Sequence, residues 1–200
     1  MKVCILDYKY GNILSIKNFC VKVGMDVKVS NDKNIINSCD ILILPGVGTF
    51  PKVMSYIKKK NLSKPILRRY NNNKLILGIC IGMQIFCKNS YEQKKTAGLG
   101  IFKSEVKKIN KKKSHIGWNK INKFNSNNFQ LNSKYFYFNH SYFIDFKKSE
   151  EKKILYFSTH NKKIPSIISK KNFFGVAFHP EKSQENGEFF FKKLIENVKK

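Results

Sequence analysis

Through the first half of the chain, short and wholly apolar runs alternate with stretches whose apolar residues recur every three or four positions. Lys2–Leu6 reads as a strand that ends at Asp7. Ile13, Ile16, Cys20 and Val23 then fall at helical spacing, and Gly24 stops that helix. Val27–Val29 and the continuous apolar run Ile41–Leu44 read as further strands, the latter closed by Pro45-Gly46. A helix begins between Val53 and Ile57, and Leu75–Ile79 is another buried strand. Strands apolar on both faces, separated by amphipathic helices, predict an α/β fold with a central, mostly parallel sheet and helices on both faces. Such sheets carry their sites at the carboxyl ends of the strands.

From about residue 100 the texture changes. Val106–Ile109, Tyr135–Phe138, Ile154–Phe157, Ile164–Ile168 and Phe173–Phe178 read as strands with few helices between them, which predicts extra antiparallel pairing in the second half. The Asn-rich stretch Lys120–Asn132 reads as a surface loop. A last helix is expected from Gly187 to Val198, with Phe191, Leu194, Ile195 and Val198 on one face. No repeat or linker divides the chain, so residues 1–200 are expected to form one domain, a size at which a sizeable core can form.

Composition narrows the classes. The chain is 42% hydrophobic and 14% aromatic, which argues against disorder. No apolar run approaches the roughly 18 residues of a membrane helix, and Val3–Leu6 is too short for a secretory signal. A cytoplasmic protein with no membrane role is expected. The net charge of +26 raises nucleic-acid binding as a possibility. Against it, Arg68 and Arg69 are the only arginines, no aromatic-basic module is present, and abundant Lys, Asn, Ile, Phe and Tyr match AT-rich codons. No nucleic-acid partner is therefore expected. Five cysteines without a CxxC pair or zinc spacing favour free thiols and no metal.

Chemistry concentrates in three segments. In Leu75–Gln84 a buried strand runs through Gly78-Ile79-Cys80-Ile81-Gly82 into a helix, the cysteine form of a nucleophile elbow. Glycines flank the turn where a Cβ would clash, the helix start faces the sulfur, and the Ile81 amide is free for an oxyanion. In His179-Pro180-Glu181, side chains two apart in an extended segment point the same way, so Glu181 can orient His179 as the base for Cys80. The loop Pro45-Gly46-Val47-Gly48 follows a strand at the same sheet edge and can aim amides at developing charge.

Taken together, the segments resemble the class I glutamine amidotransferases and, more narrowly, the glutaminase subunits of imidazole glycerol phosphate synthases. The matching pieces are Tyr8 with Gly11-Asn12, Pro45–Gly48, Gly78–Gln84, His115-Ile116-Gly117-Trp118-Asn119, His140-Ser141-Tyr142 and His179–Ser183. The resemblance implies a flavodoxin-like three-layer sandwich and a Cys80-His179-Glu181 triad that hydrolyses L-glutamine through a γ-glutamyl thioester, with no cofactor. It implies that Val47 or Gly48, with Ile81, supplies the oxyanion amides, that Gly46 belongs to the same substrate and oxyanion loop, and that Gln84 and Glu92 hold the amino-acid end together with Gly48 and the backbone around Ser141 and Tyr142. It implies a barrel-fold synthase subunit as heterodimer partner, facing Asn12, Ile116, Trp118, Asn119, Tyr137 and Lys182, which takes up ammonia and forms imidazole glycerol phosphate and a carboxamide ribotide. Another class I glutaminase and a related cysteine hydrolase are the alternatives. The chain departs from the family pattern at Lys9, Lys103-Ser104, Ser114, Asn139 and Ala177.

Overall fold

A computed structural model describes residues 1–9, 12–110, 114–124, 129–131 and 134–198, with residue 198 described by its backbone alone. Gly11 of the first matching segment and the side chain of Val198 lie outside the described residues.

The first half follows the apolar pattern. Strands β1 (Lys2–Leu6), β2 (Asp26–Ser30), β3 (Ile41–Leu44) and β4 (Ile76–Ile79) are separated by helices α1 (Ile13–Lys22), α2 (Lys33–Ser38), α3 (Phe50–Lys59) and α4 (Ser63–Asn71). Helix α1 buries Ile16 and Cys20, and the chain leaves it through Gly24 at φ +81°, a backbone state costly for any residue with a Cβ. Asp32 caps α2, accepting the amides of Asn34 and Ile35. After β4 comes α5 (Ile81–Gln84), a single turn.

The second half contributes β5 (Cys87–Ser90), β6 (Thr96–Ala97), β7 (Phe102–Lys108), β8 (His115–Lys123), β9 (Tyr135–His140), β10 (Tyr142–Asp145), β11 (Ile154–Thr159), β12 (Lys163–Lys170) and β13 (Phe173–Val176). Helix α6 (Gln184–Val198) closes the chain. The strands build a nine-stranded sheet in the order β2-β1-β3-β4-β13-β12-β11-β8-β9, and a four-stranded sheet β10-β7-β5-β6. From β2 to β13 all neighbours in the large sheet are parallel, and from β13 to β9 all are antiparallel. The parallel half comes from the region of alternating strands and helices and the antiparallel strands from the second half, as the pattern predicts.

Several boundaries differ, among them the start of α6 at Gln184 and the end of β9 at His140. Lys120–Lys123, read as loop, is the end of β8, and residues 125–128 and 132–133 of that stretch lie outside the described residues. Its polar residues face water while Ile121 is buried, so a half-buried strand carries little apolar signal. Strand β7 begins at Phe102 and ends at Lys108, not Ile109, because Phe102, Ser104 and Val106 turn inward and the charged residues between them outward. Strand β13 ends at Val176, two residues before Phe178.

The main core cluster runs through both halves, from Val3–Leu6 to Phe190 and Phe191, with a small separate one of Ile109, Phe143 and Ile164. All five cysteines are free and buried. Arg69 is also buried, and its guanidinium donates to the carbonyls of Ile36, Cys39, Asp40 and Leu75 at 2.8 to 3.1 Å. Cys39 and Asp40 lie just before β3 and Leu75 just before β4, while Ile36 belongs to α2, so one arginine ties this helix to the amino ends of two neighbouring parallel strands. Among the described residues no helix is long and apolar enough to cross a membrane.

Candidate active site

The carboxyl ends of β3, β4 and β13 lie side by side, and each carries one part of the site. Cys80 follows β4 at φ +48° and ψ −106°, a strained state for a residue with a side chain. Its amide donates to the Val176 carbonyl at 2.7 Å, which fixes the elbow to the end of β13. The flanking glycines are sterically required. A Cβ on Gly78 would lie 2.5 Å from the Gly82 carbonyl oxygen, and one on Gly82 would meet the carbonyl of Leu44. A Cβ on Gly46 would lie 2.8 Å from the Ile79 carbonyl oxygen and 3.0 Å from the Cβ of Cys80. The Pro45–Gly48 loop can therefore press against the elbow only as it is written.

Ile81 begins α5, so its amide has no intrahelical acceptor. The helix expected to face the sulfur is only four residues long, and its contribution is that of first-turn N–H groups rather than of a long aligned dipole.

His179 leaves β13 in an extended conformation, and Glu181 sits in the 3₁₀ turn Pro180–Lys182. The pairing expected between them forms by this turn, not by strand alternation. His179 Nδ1 lies 2.8 Å from Glu181 Oε1, with side-chain exposures of 2% and 1%. His179 Nε2 is buried and makes no well-formed hydrogen bond of its own. Burial alone would lower the proton affinity of this ring, but the Cys80 sulfur and the Glu181 carboxylate outweigh it, and its pKa is pushed up to about 10. An imidazolium beside the sulfur is the counter-charge that a thiolate nucleophile needs.

A cleft of about 190 Å³ opens over these groups. Gly46, Val47, Gly48, Cys80, Ile81, Gln84, Glu92, Ser141, Tyr142 and His179 all line it, so each oxyanion and substrate position read from the sequence lies in one place. Gly48 has φ +128° and Val47 is 38% exposed, which leaves this loop on the open side of the cleft. Gln84 Nε2 donates to the Tyr142 carbonyl at 3.0 Å. Glu92 is half-buried, and its Oε2 accepts the Phe50 amide at 2.7 Å, the first N–H of α3. Burial raises the pKa of Glu92, and the Phe50 amide works against that rise.

Asn139 and His140 also line the cleft, and neither was assigned a role from sequence. His140 was visible only as part of a matching segment; its position directly across from His115 on β8 is a matter of strand register.

The expected partner-facing residues divide. Ile116 and Trp118 stand on one face of β8, 63% and 48% exposed, and the Trp118 ring meets Tyr137 of β9 edge-on with 6.3 Å between centroids. Lys182 Nζ lies 5.7 Å above the Tyr137 ring. Asn119 belongs to the opposite face, where its amide is bound to His115 and to the Thr159 carbonyl. Asn12 precedes α1 and accepts from Ser15 Oγ.

The departures from the family pattern are absorbed locally. Lys9 holds the left-handed backbone of a glycine, at φ +63°, with its side chain paired to Asp7. Ser104 donates to the buried carboxylate of Glu150 at 2.6 Å, and Ser114 pairs with Ser141 at 2.7 Å.

Residues 4–197 match the family model of class I glutamine amidotransferases. The imidazole glycerol phosphate synthase subunit HisH of Lactococcus lactis is 38% identical over 202 residues, covering 98% of this chain and 99% of the relative. Subunit HisH 2 of Methanococcus maripaludis is 38% identical over 205 residues, with 98% and 97% covered. Among solved structures, a glutamine amidotransferase superposes with a TM-score of 0.79 at 15% identity, covering 99% of both chains. A chain of PurLQS from Thermotoga maritima gives 0.78 at 17% identity and 98% coverage of each. At these identities the structures speak for the fold.

Proposed function

The chain belongs to the class I glutamine amidotransferase family and is a glutaminase subunit of the imidazole glycerol phosphate synthase type; within that activity we propose that Cys80, His179 and Glu181 carry the chemistry. The observation that supports this most is the convergence of a strained cysteine elbow and a buried His–Glu pair on one cleft.

The Cys80 thiolate attacks the side-chain carboxamide carbon of L-glutamine. The oxygen that becomes anionic is met by the Ile81 amide and by an amide of the Gly46–Gly48 loop. His179 protonates the leaving nitrogen, and ammonia departs from a γ-glutamyl thioester. The same ring, now neutral at Nε2, takes a proton from water, which opens the thioester to glutamate. Glu181 holds His179 in the orientation that keeps Nδ1 protonated and Nε2 toward the sulfur. Gln84, Glu92, Ser141 and Tyr142 bind the amino-acid end, with the Glu92 carboxylate positioned for the α-ammonium group.

The ammonia passes to a barrel-fold synthase subunit, which forms imidazole glycerol phosphate and a carboxamide ribotide. Ile116, Trp118, Tyr137 and Lys182 form the docking face, with Asn12 and Asn119 at its margins. An exposed tryptophan set against a half-exposed tyrosine has the composition of an interface centre rather than of ordinary surface. The cytoplasm is the compartment of this reaction. The test is ammonia release from glutamine by the two-subunit enzyme with Cys80 changed to alanine. Release is expected to stop while the complex still forms; undiminished release would overturn the assignment.

A further inference from the structure

Beside the proposed triad, a chain of hydrogen bonds has a direction fixed by its end. The Tyr142 carbonyl can only accept, and His140 Nδ1 lies 2.8 Å from it, so this nitrogen carries the ring proton. His140 Nε2 is then a lone pair, and His115 Nδ1, 3.1 Å away, is the donor to it. That leaves His115 Nε2 to accept from Asn119 Nδ2 at 2.9 Å, while the same amide also donates to the Thr159 carbonyl at 3.1 Å. Asn119 Oδ1 accepts the Lys120 amide at 2.7 Å, consistent with this orientation. Each proton of the Asn119–His115–His140 relay points from β8 toward Tyr142.

The surroundings hold this arrangement. The His115 ring is stacked between Phe138 and His160, with centroids at 4.2 and 4.6 Å. Burial, reinforced by the neighbouring histidines, keeps both relay rings neutral, with His115 lowered to about 3 and His140 to about 4. The Tyr142 carbonyl at the end of the relay is also the acceptor for Gln84 Nε2. It thereby sets which end of the Gln84 amide faces the cleft.

We infer that His115 and His140 are positioning residues for glutamine binding: they fix the Tyr142 carbonyl, and through it Gln84, to Asn119 on the strand that bears Ile116 and Trp118. The inference rests on the reading that this cleft takes glutamine. Neither ring exchanges a proton with substrate. Their work is to hold a carbonyl whose position decides the fit of the amino-acid end.

The test uses the two-subunit enzyme with His115→Phe and His115→Asn. Phenylalanine keeps a flat ring between Phe138 and His160 but has no donor for His140; asparagine puts an N–H near the place of Nδ1. For His115→Phe, KM for glutamine is expected to rise roughly tenfold, with kcat at saturating glutamine within about twofold, as for loss of one buried hydrogen bond in binding. His115→Asn is expected to recover most of the loss. An unchanged KM in His115→Phe, with only a lowered melting temperature, would overturn the inference. Should His115→Phe not fold, nitrogen NMR of the histidine-labelled wild-type complex decides. Protons on Nδ1 of both rings support the relay, and an Nε2 proton on either contradicts it. A wild-type complex that released no ammonia from glutamine would instead sink the functional reading, and the NMR result would still stand or fall by itself.

Discussion

The amide of His179 donates to the carbonyl of Tyr137 at 2.9 Å, so the base hangs from the strand that bears a half-exposed tyrosine. Ser183 Oγ reinforces the joint, donating to the His179 carbonyl at 2.7 Å and accepting the Tyr137 amide at 3.0 Å. What presses on the exposed face of β8 and β9 therefore presses on the segment that places the imidazole. Trp118 is the largest exposed anchor on that face. Trp118→Ala is expected to weaken binding of the synthase subunit by about 2 kcal/mol, roughly 30-fold, with little change in melting temperature. Titration of one subunit into the other measures it; unchanged affinity would place the interface elsewhere.

The His179–Glu181 pair makes a prediction about pH. The pKa of His179 is raised from its ordinary 6.5 to about 10, so its charged form stabilises the folded state. That stabilisation is present in full below pH 6.5 and is lost as pH rises through about 10. Glu181→Gln removes one of the two groups that raise the pKa. Denaturant unfolding across this range should show wild type more stable at the acidic end and the two proteins converging at the alkaline end. Parallel stability curves would show that the pair does not hold a proton.

Gly46 offers a test of the loop. Its missing side chain is what lets Pro45–Gly48 lie against Ile79 and Cys80. Gly46→Ala must move either the loop or the nucleophile by a few tenths of an ångström. Glutaminase activity is expected to fall at least about tenfold, because misplacement on that scale costs more in catalysis than in folding. An activity within twofold of wild type would mean that the loop does not need this contact.

Arg69 is predicted to matter for stability and not for chemistry. It donates to the Ile36 carbonyl in α2 and to three carbonyls at the amino ends of β3 and β4, whereas the cleft lies at their carboxyl ends. Arg69→Met should cost about 3 kcal/mol or more by removing the guanidinium from these buried carbonyls, of which Leu75 keeps the Leu42 amide at 3.1 Å. Below its melting temperature, the variant should keep its KM for glutamine. A raised KM in a well-folded variant would show coupling across the sheet.

Most of the parallel half of the fold is legible because β1, β3 and β4 are buried on both faces, and Val3–Leu6, Ile41–Leu44 and Leu75–Ile79 stand out as apolar runs, whereas the edge strand β2 is mostly exposed. Strands β7 and β8 are not, since each buries one face only, β7 alternating charged with inward residues and β8 exposing Ile116, Trp118 and Lys120. The elbow could be read because its steric demands fall on neighbouring residues, Gly78 and Gly82. Glu181 was placed beside His179 correctly but for a different local reason, a 3₁₀ turn begun by Pro180. The histidine relay could not be read at all. It depends on the β8–β9 register that sets His115 opposite His140, and cross-strand register does not follow from spacing along one strand. Lys9 is the reverse case: the residue departs from the family's glycine, yet the backbone keeps the conformation a glycine would take.

The account stands on the sulfur of Cys80 becoming covalently bonded to substrate. The most direct measurement is mass spectrometry of the two-subunit enzyme quenched in acid during turnover of glutamine. One γ-glutamyl group is predicted on the peptide that contains Cys80, and none on that peptide from Cys80→Ala. An adduct on another residue, or turnover by Cys80→Ala with none at all, would contradict it.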